Sequence, residues 1–229
     1  MLPDTPSRRF AAVASLLVAP ILAGLYVVLS PPFPDNASER LAGFADGPLP
    51  AVSAVAFLLL QLPMLVVFLT IGRLLLPRAP RLSAWGTTLG IIGCFGHIVF
   101  GGLSMAYLVM ARDAENREVY ATLFTAIESS PVMAFAMAGF LGTVLGQLIQ
   151  SIGLFRTRTG PIWVGPAIWT FLLMEFFLSN VTPLASYLAV LLLGAALWAL
   201  ALEVRSGGSH VDGGDHAVAQ PLGDIGQRA

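Results

Sequence analysis

The chain from Trp85 to Met110 reads WGTTLGIIGCFGHIVFGGLSMAYLVM. It holds no Asp, Glu, Arg or Lys, and it exceeds the roughly 20 apolar residues needed to cross a bilayer. Gly86, Gly90, Gly93, His97, Gly101 and Ser104 follow one another at spacings of 4, 3, 4, 4 and 3. On a helix those spacings fall on one face. That face is nearly bare of side chains and carries one titratable group, His97, in its middle. A membrane-spanning helix that packs closely on a neighbour is the reading that fits.

The rest of the sequence extends this reading. Of 229 residues, 56% are hydrophobic and only 11% are charged. Soluble domains carry about 25% charged residues, so a soluble globule could not cover its surface with these. The net charge is −1, which gives no field for recruiting nucleic acid. Every basic side chain is arginine, as expected of a GC-rich, bacterial genome. Cys94 is the one cysteine, which rules out a disulfide framework and a cysteine metal site.

Six apolar segments are legible, at about 10–30, 51–76, 84–111, 131–155, 161–179 and 183–204. The first follows Ser7-Arg8-Arg9-Phe10. It is too long for a signal-peptide core and lacks a cleavage site before Pro31-Pro32, so it reads as a membrane helix. Ser38 to Phe44 suits a short interfacial helix. Arg112 to Ser130 is the polar stretch between the third and fourth segments. There Asp113 and Arg117 stand at i, i+4, and Val119, Tyr120, Leu123, Phe124 and Ile127 make one apolar face. An amphipathic surface helix is expected. Ser130-Pro131, Gly160-Pro161 and Thr182-Pro183 look like helix starts. Pro20, Pro63 and Pro166 look like interruptions inside helices. Residues 206–229, rich in Gly, Ser, Asp and Gln, read as a disordered tail.

The expected fold is therefore all-α, a polytopic membrane protein whose residues 1–205 form a bundle of six transmembrane helices with one amphipathic surface helix. Arg8, Arg9, Arg73, Arg78, Arg81, Arg156, Arg158 and Arg205 fall on one side, against Arg40, Arg112 and Arg117 on the other. Eight against three puts both termini in the cytoplasm, in the cell membrane.

Three polar groups lie at membrane depth. His97 and Gln61 are near the midplane, and Glu175 is roughly 7 Å outward of it at 1.5 Å per residue. An ionisable group at that depth is a functional candidate. His97 either hydrogen-bonds a neighbouring helix, with Gln61 as a partner, or serves a ligand or proton. Glu175 either bonds Asn180 or the outer loop, or forms with His97 the polar ends of an outward-opening cavity. Gln147 and Gln150 read as inter-helix hydrogen bonders.

Glycine costs roughly 1 kcal/mol against alanine in a helix in water, so Gly86, Gly90 and Gly93 need a packing gain. Gly139, Gly142 and Gly146 form a matching face on the fourth segment. The two faces are expected to meet, or else one of them mediates a homo-oligomer.

No His-Glu-x-x-His, paired-aspartate, Gly-x-Ser-x-Gly or phosphate-loop motif is present. No cofactor and no metal site are expected. His210 and His216 lie in the tail, which leaves no second intramembrane histidine for bis-histidine haem. Asn36-Ala37-Ser38 is formally a glycosylation sequon.

The junction Gly153-Leu154-Phe155-Arg156-Thr157-Arg158-Thr159-Gly160-Pro161-Ile162-Trp163-Val164-Gly165 resembles a Gly-Leu-x-x-x-Arg-Ser-Arg-x-x-Pro-Arg-Trp-x-Gly junction. That junction belongs to small six-helix bacterial membrane proteins, frequent in actinobacteria, with no assigned function. Ile162 stands where arginine is usual. The resemblance covers about residues 8 to 205, implies the six-segment layout, and carries no catalytic or binding residues across.

Three functions stay open. The first is a non-enzymatic protein that binds or passes a small apolar ligand, or serves as an accessory subunit in the lipid bilayer. The second is a membrane enzyme acting on a lipid, with His97 and Glu175 as acid and base. The third is an oligomeric scaffold. A cavity reaching both His97 and Glu175 would favour the first two.

Overall fold

The computed structural model describes residues 5–31, 34, 36–179 and 181–206. The expected tail, with His210, Asp212, Asp215 and His216, lies outside them, as does Asn180. The described chain is helical: α1 (Pro6–Leu29), α2 (Ala37–Ala45), α3 (Leu49–Leu75), α4 (Pro80–Ala111), α5 (Arg117–Glu128), α6 (Pro131–Thr157), α7 (Val164–Leu173) and α8 (Pro183–Ser206). A π-helical turn, Met174–Leu178, continues α7. Five helices, α1, α3, α4, α6 and α8, are long and apolar enough to cross a membrane.

The fifth apolar segment is shorter than the sequence suggests. Gly160-Pro161 does not start a helix; Arg158 and Gly160 both take positive φ (52° and 77°), and the chain turns until Val164. The apolar helix Val164–Leu178 then spans only about 22 Å at 1.5 Å per residue, against a hydrocarbon core of about 30 Å. The later start also moves Pro166 into the first turn, where its missing N–H breaks no helical bond. Pro20 and Pro63 do lie inside their helices.

The apolar helices form a ring in the order α1, α3, α4, α6, α7, α8, with α8 returning to α1. The most extensive contact is between α4 and α6, and glycines make it. A Cβ placed on Gly96 would sit 2.2 Å from the Gly139 Cα, one on Gly142 2.8 Å from the Gly93 N, and one on Gly146 2.7 Å from the Gly90 N. Gly86 lies against Gln150, while Gly101 faces Leu58 of α3. These glycines thus meet inside one chain, and a second copy would have to use another surface. Backbone contact of this kind is how small residues associate helices where lipid supplies no hydrophobic drive.

One end of the ring carries the arginines of the α1, α4 and α8 termini and of the α3–α4 and α6–α7 turns. Near it the bundle is solid: Leu16, Phe68, Leu75, Val164, Leu197, Leu200 and Val204 are all but inaccessible. Arg9 closes that end by donating to the Val204 carbonyl at 3.0 Å.

The other end is covered by α2 and α5, two amphipathic helices rather than one. Asn36 Oδ1 accepts from the backbone N–H groups of Ser38 and Glu39 and caps α2. Leu41, Tyr107, Ala121 and Phe124 form a small core beneath the pair. The expected Asp113–Arg117 pair does not form, because α5 begins only at Arg117 and Asp113 is in the turn before it. Asp113 instead accepts from the Asn116 side chain at 2.9 Å and from the Tyr120 hydroxyl at 3.1 Å. Ser130 precedes α6 without capping it; its hydroxyl donates to the Ile127 carbonyl.

Candidate functional site

The glycine seam commits α6 to α4, and this decides where the ring is hollow. Toward the arginine-rich end, α6 also meets α3 and α7. There the Gln150 amide donates to the Phe68 carbonyl at 2.8 Å and to Thr87 Oγ1 at 3.2 Å. The Trp169 indole donates to Ser151 Oγ at 2.8 Å, and the Phe155 and Trp169 rings meet edge to face. Toward the α2/α5 end, α6 and the π turn have no backbone-level contact. The Phe140 and Phe176 rings bridge them edge to face, with centroids 4.9 Å apart.

The space left between the helices is a cavity of about 360 Å³, within the range of small-molecule sites. Its apolar walls include Phe57, Phe100, Met133, Phe140, Val144, Phe171 and Phe176. Five polar side chains also reach it: Tyr26, His97, Thr143, Gln147 and Glu175. Below it, toward the arginine-rich end, a remnant of about 10 Å³ lies between Phe68, Gln147, Gln150 and Leu193. The cavity is a pocket with a floor, not a pore.

Of the polar residues singled out in the sequence, His97 and Glu175 share this cavity and Gln61 does not. The Gln61 amide donates to the Phe57 carbonyl of its own helix at 2.9 Å, so it is not the partner of His97. His97 Nδ1 lies 3.2 Å from Thr143 Oγ1. Its ring stands edge-on to Phe57, 5.4 Å between centroids. Thr143 is also the residue that a Cβ on Gly93 would strike, 2.4 Å from its N. The seam therefore sets the approach of α6 to His97.

Glu175 sits in the π turn. That turn closes with the Ser179 N–H donating to the Met174 carbonyl at 2.9 Å, an i to i+5 bond. The Ser179 hydroxyl donates to the Glu175 carbonyl. Single π turns are frequent at functional sites. Ser186 of α8 lies close enough to the Glu175 carboxyl to influence it, while the Glu175 Oε2 is buried with no hydrogen-bond partner among the described residues. Tyr26, across the cavity on α1, is close enough to interact electrostatically with Glu175.

Tyr26, Thr143 and the π turn are parts of the site that sequence reasoning missed. Thr143 was findable, because it follows Gly142 on the glycine face of α6. Nothing in Met174-Glu175-Phe176-Phe177-Leu178 announces a widened turn. Among the described residues, no three His, Cys, Asp or Glu side chains come together as a metal site. Comparison with family models, curated proteins and solved structures found no match. The fold and its apolar surface define an all-α protein suited to a lipid bilayer.

Proposed function

We propose that this chain is a non-enzymatic membrane protein that binds a small, mostly apolar ligand inside its helix bundle. The observation that carries the reading is the closed-floored cavity that holds both His97 and Glu175. Its few polar groups among many apolar ones match the composition of small-molecule sites. The floor argues for binding, or for one stage of passage, rather than for an open channel. By the arginine asymmetry the solid end faces the cytoplasm, with both termini there, in the cell membrane, and the cavity belongs to the outer half.

Native mass spectrometry on protein extracted gently from its host membrane tests this. The expected result is one retained small molecule per chain, lost in His97→Ala and in Glu175→Gln while the chain stays folded. Bare protein, with both variants melting like wild type, would overturn the reading and favour a scaffold or accessory subunit.

The shared cavity equally favours a membrane enzyme acting on a lipid, with His97 and Glu175 as acid and base. Incubation with host lipid extract separates the two readings. A product formed over many turnovers, and lost in both variants, would replace binding with catalysis.

A further inference from the structure

We infer that the ligand of the cavity is a lipophilic organic cation, an amine carried on an aromatic or alkyl body, with Glu175 as its counter-charge. This deepens the binding reading above and rests on it.

The charge balance of the walls carries the inference. Among the described residues, Glu175 is the one acidic side chain that lines the cavity, and no arginine lines it. The chain has no lysine. Ser186 engages the Glu175 carboxyl, yet a hydroxyl offers no charge to balance it, and Oε2 lacks even a hydrogen bond among the described residues. A carboxyl surrounded by apolar groups stays neutral unless a countercharge accompanies it, so a bound cation is the partner that would let Glu175 carry its charge. The ordinary solution, an arginine on a neighbouring helix, is present elsewhere in this protein as Arg40–Glu128, but not here.

The remaining walls suit the same ligand. Tyr26, Phe57, Phe100, Phe140, Phe171 and Phe176 surround the space. Aromatic faces attract cations through their quadrupole, most strongly where water is excluded. An anionic ligand, whether a fatty acid or a phosphate headgroup, would meet Glu175 with no basic side chain but His97 to offset it. A neutral alcohol could hydrogen-bond Glu175 but would bring no charge for the carboxylate or the ring faces to attract. Only a cation satisfies the carboxylate and the rings together.

The test is a matched series, 4-phenylbutylamine, 4-phenylbutanol and 4-phenylbutanoate, titrated at pH 7.5 into the full chain in phosphatidylcholine nanodiscs. Empty nanodiscs supply the baseline for partitioning. The amine is expected to bind saturably, one per chain, at least tenfold more tightly than the alcohol, with the carboxylate not binding. Glu175→Gln should abolish the preference of amine over alcohol, and Glu175→Asp should retain part of it. Equal binding of amine and alcohol, an amine affinity unchanged in Glu175→Gln, or no amine binding would each overturn the inference. Saturable binding of the carboxylate, or of the alcohol as tightly as the amine, would sink the cation while leaving ligand binding standing. A native ligand retained in mass spectrometry without any amine binding would do the same.

Discussion

Arg40 of α2 and Glu128 of α5, 88 residues apart, form a two-pronged ion pair at 2.7 and 2.9 Å, with the guanidinium carbon 4.6 Å from the centre of the Phe124 ring. Phe124 in turn stacks on Tyr107 of α4 at 3.8 Å. One arginine therefore ties both surface helices to the end of a membrane helix. Arg40 is 7% exposed, whereas Glu128 is partly open. Losing one partner of such a pair strands the other, with a discount here for the exposure of Glu128. Arg40→Ala should cost about 1–3 kcal/mol in detergent unfolding. Arg40→Lys should recover only part of it, since lysine keeps the charge but not the planar fork. A double-mutant cycle with Glu128→Gln measures the pair; simple additivity would show that the contact contributes nothing.

The seam between α4 and α6 makes a sharper claim. An alanine methyl at Gly96 has no room, lying 2.2 Å from the Gly139 Cα, whereas at Gly102 it meets nothing within 4 Å. Gly96→Ala should destabilise by roughly 1–3 kcal/mol through overpacking, and Gly102→Ala should be neutral or slightly stabilising. Melting temperatures in one detergent decide it. Equal shifts for the two would mean that the close approach of the helices carries no energetic weight.

In the turn before α5, the Asn116 side chain holds the Asp113 carboxyl below its ordinary range; desolvation opposes this, and the Tyr120 hydroxyl reinforces it. The same contact raises the Tyr120 hydroxyl. A carboxyl depressed in the folded state contributes stability above its unfolded value, and loses it as pH falls through the folded one. Tyr120→Phe should therefore move the Asp113 titration upward in a carboxyl-detected NMR experiment. An unmoved titration would mean that the hydroxyl contact does not persist.

The architecture was legible because lipid leaves few options. Apolar runs of spanning length and the glycine spacing of two segments each have one economical reading, whereas a proline start does not, as Gly160-Pro161 shows. The site was legible only in part. His97 and Glu175 stood out as titratable groups at depth, and both line the cavity. Their neighbours were not readable, because hydrogen-bond partners depend on rotation about helix axes that periodicity fixes only loosely. Gln61 illustrates this: its depth suggested His97, but its amide turns back to Phe57 of its own helix. The π turn escaped for a different reason. It packs against α8, and no residue type marks it.

Membrane orientation is open to direct labelling. Cys94, the one native cysteine, is 2% exposed and should resist maleimide until the protein is denatured. Glu115→Cys, in the turn before α5, and Arg81→Cys, at the start of α4, lie at opposite ends of the bundle and are both exposed. In intact cells a membrane-impermeant maleimide should label the first and not the second. Labelling of Arg81→Cys alone would invert the arginine-based topology and turn the cavity toward the cytoplasm.

The pair Phe140–Phe176 supplies the last prediction. Toward the α2/α5 end these two rings, rather than backbone packing, hold α6 beside the π turn. Ala136 lines the cavity one helical turn from Phe140 and is 5% exposed. A cysteine placed there in the otherwise silent background should react slowly with N-ethylmaleimide. Adding Phe140→Ala or Phe176→Ala removes one ring of the bridge and should raise the labelling rate about tenfold or more, the equivalent of about 1.4 kcal/mol in the opening equilibrium. Mass spectrometry of the time course reads it directly. If neither truncation changes the rate, entry does not run between α6 and α7, and the route must lie under the α2/α5 cap, along Tyr26, Ser30 and Phe44, where a smaller cavity of about 50 Å³ adjoins Phe57 and Phe100.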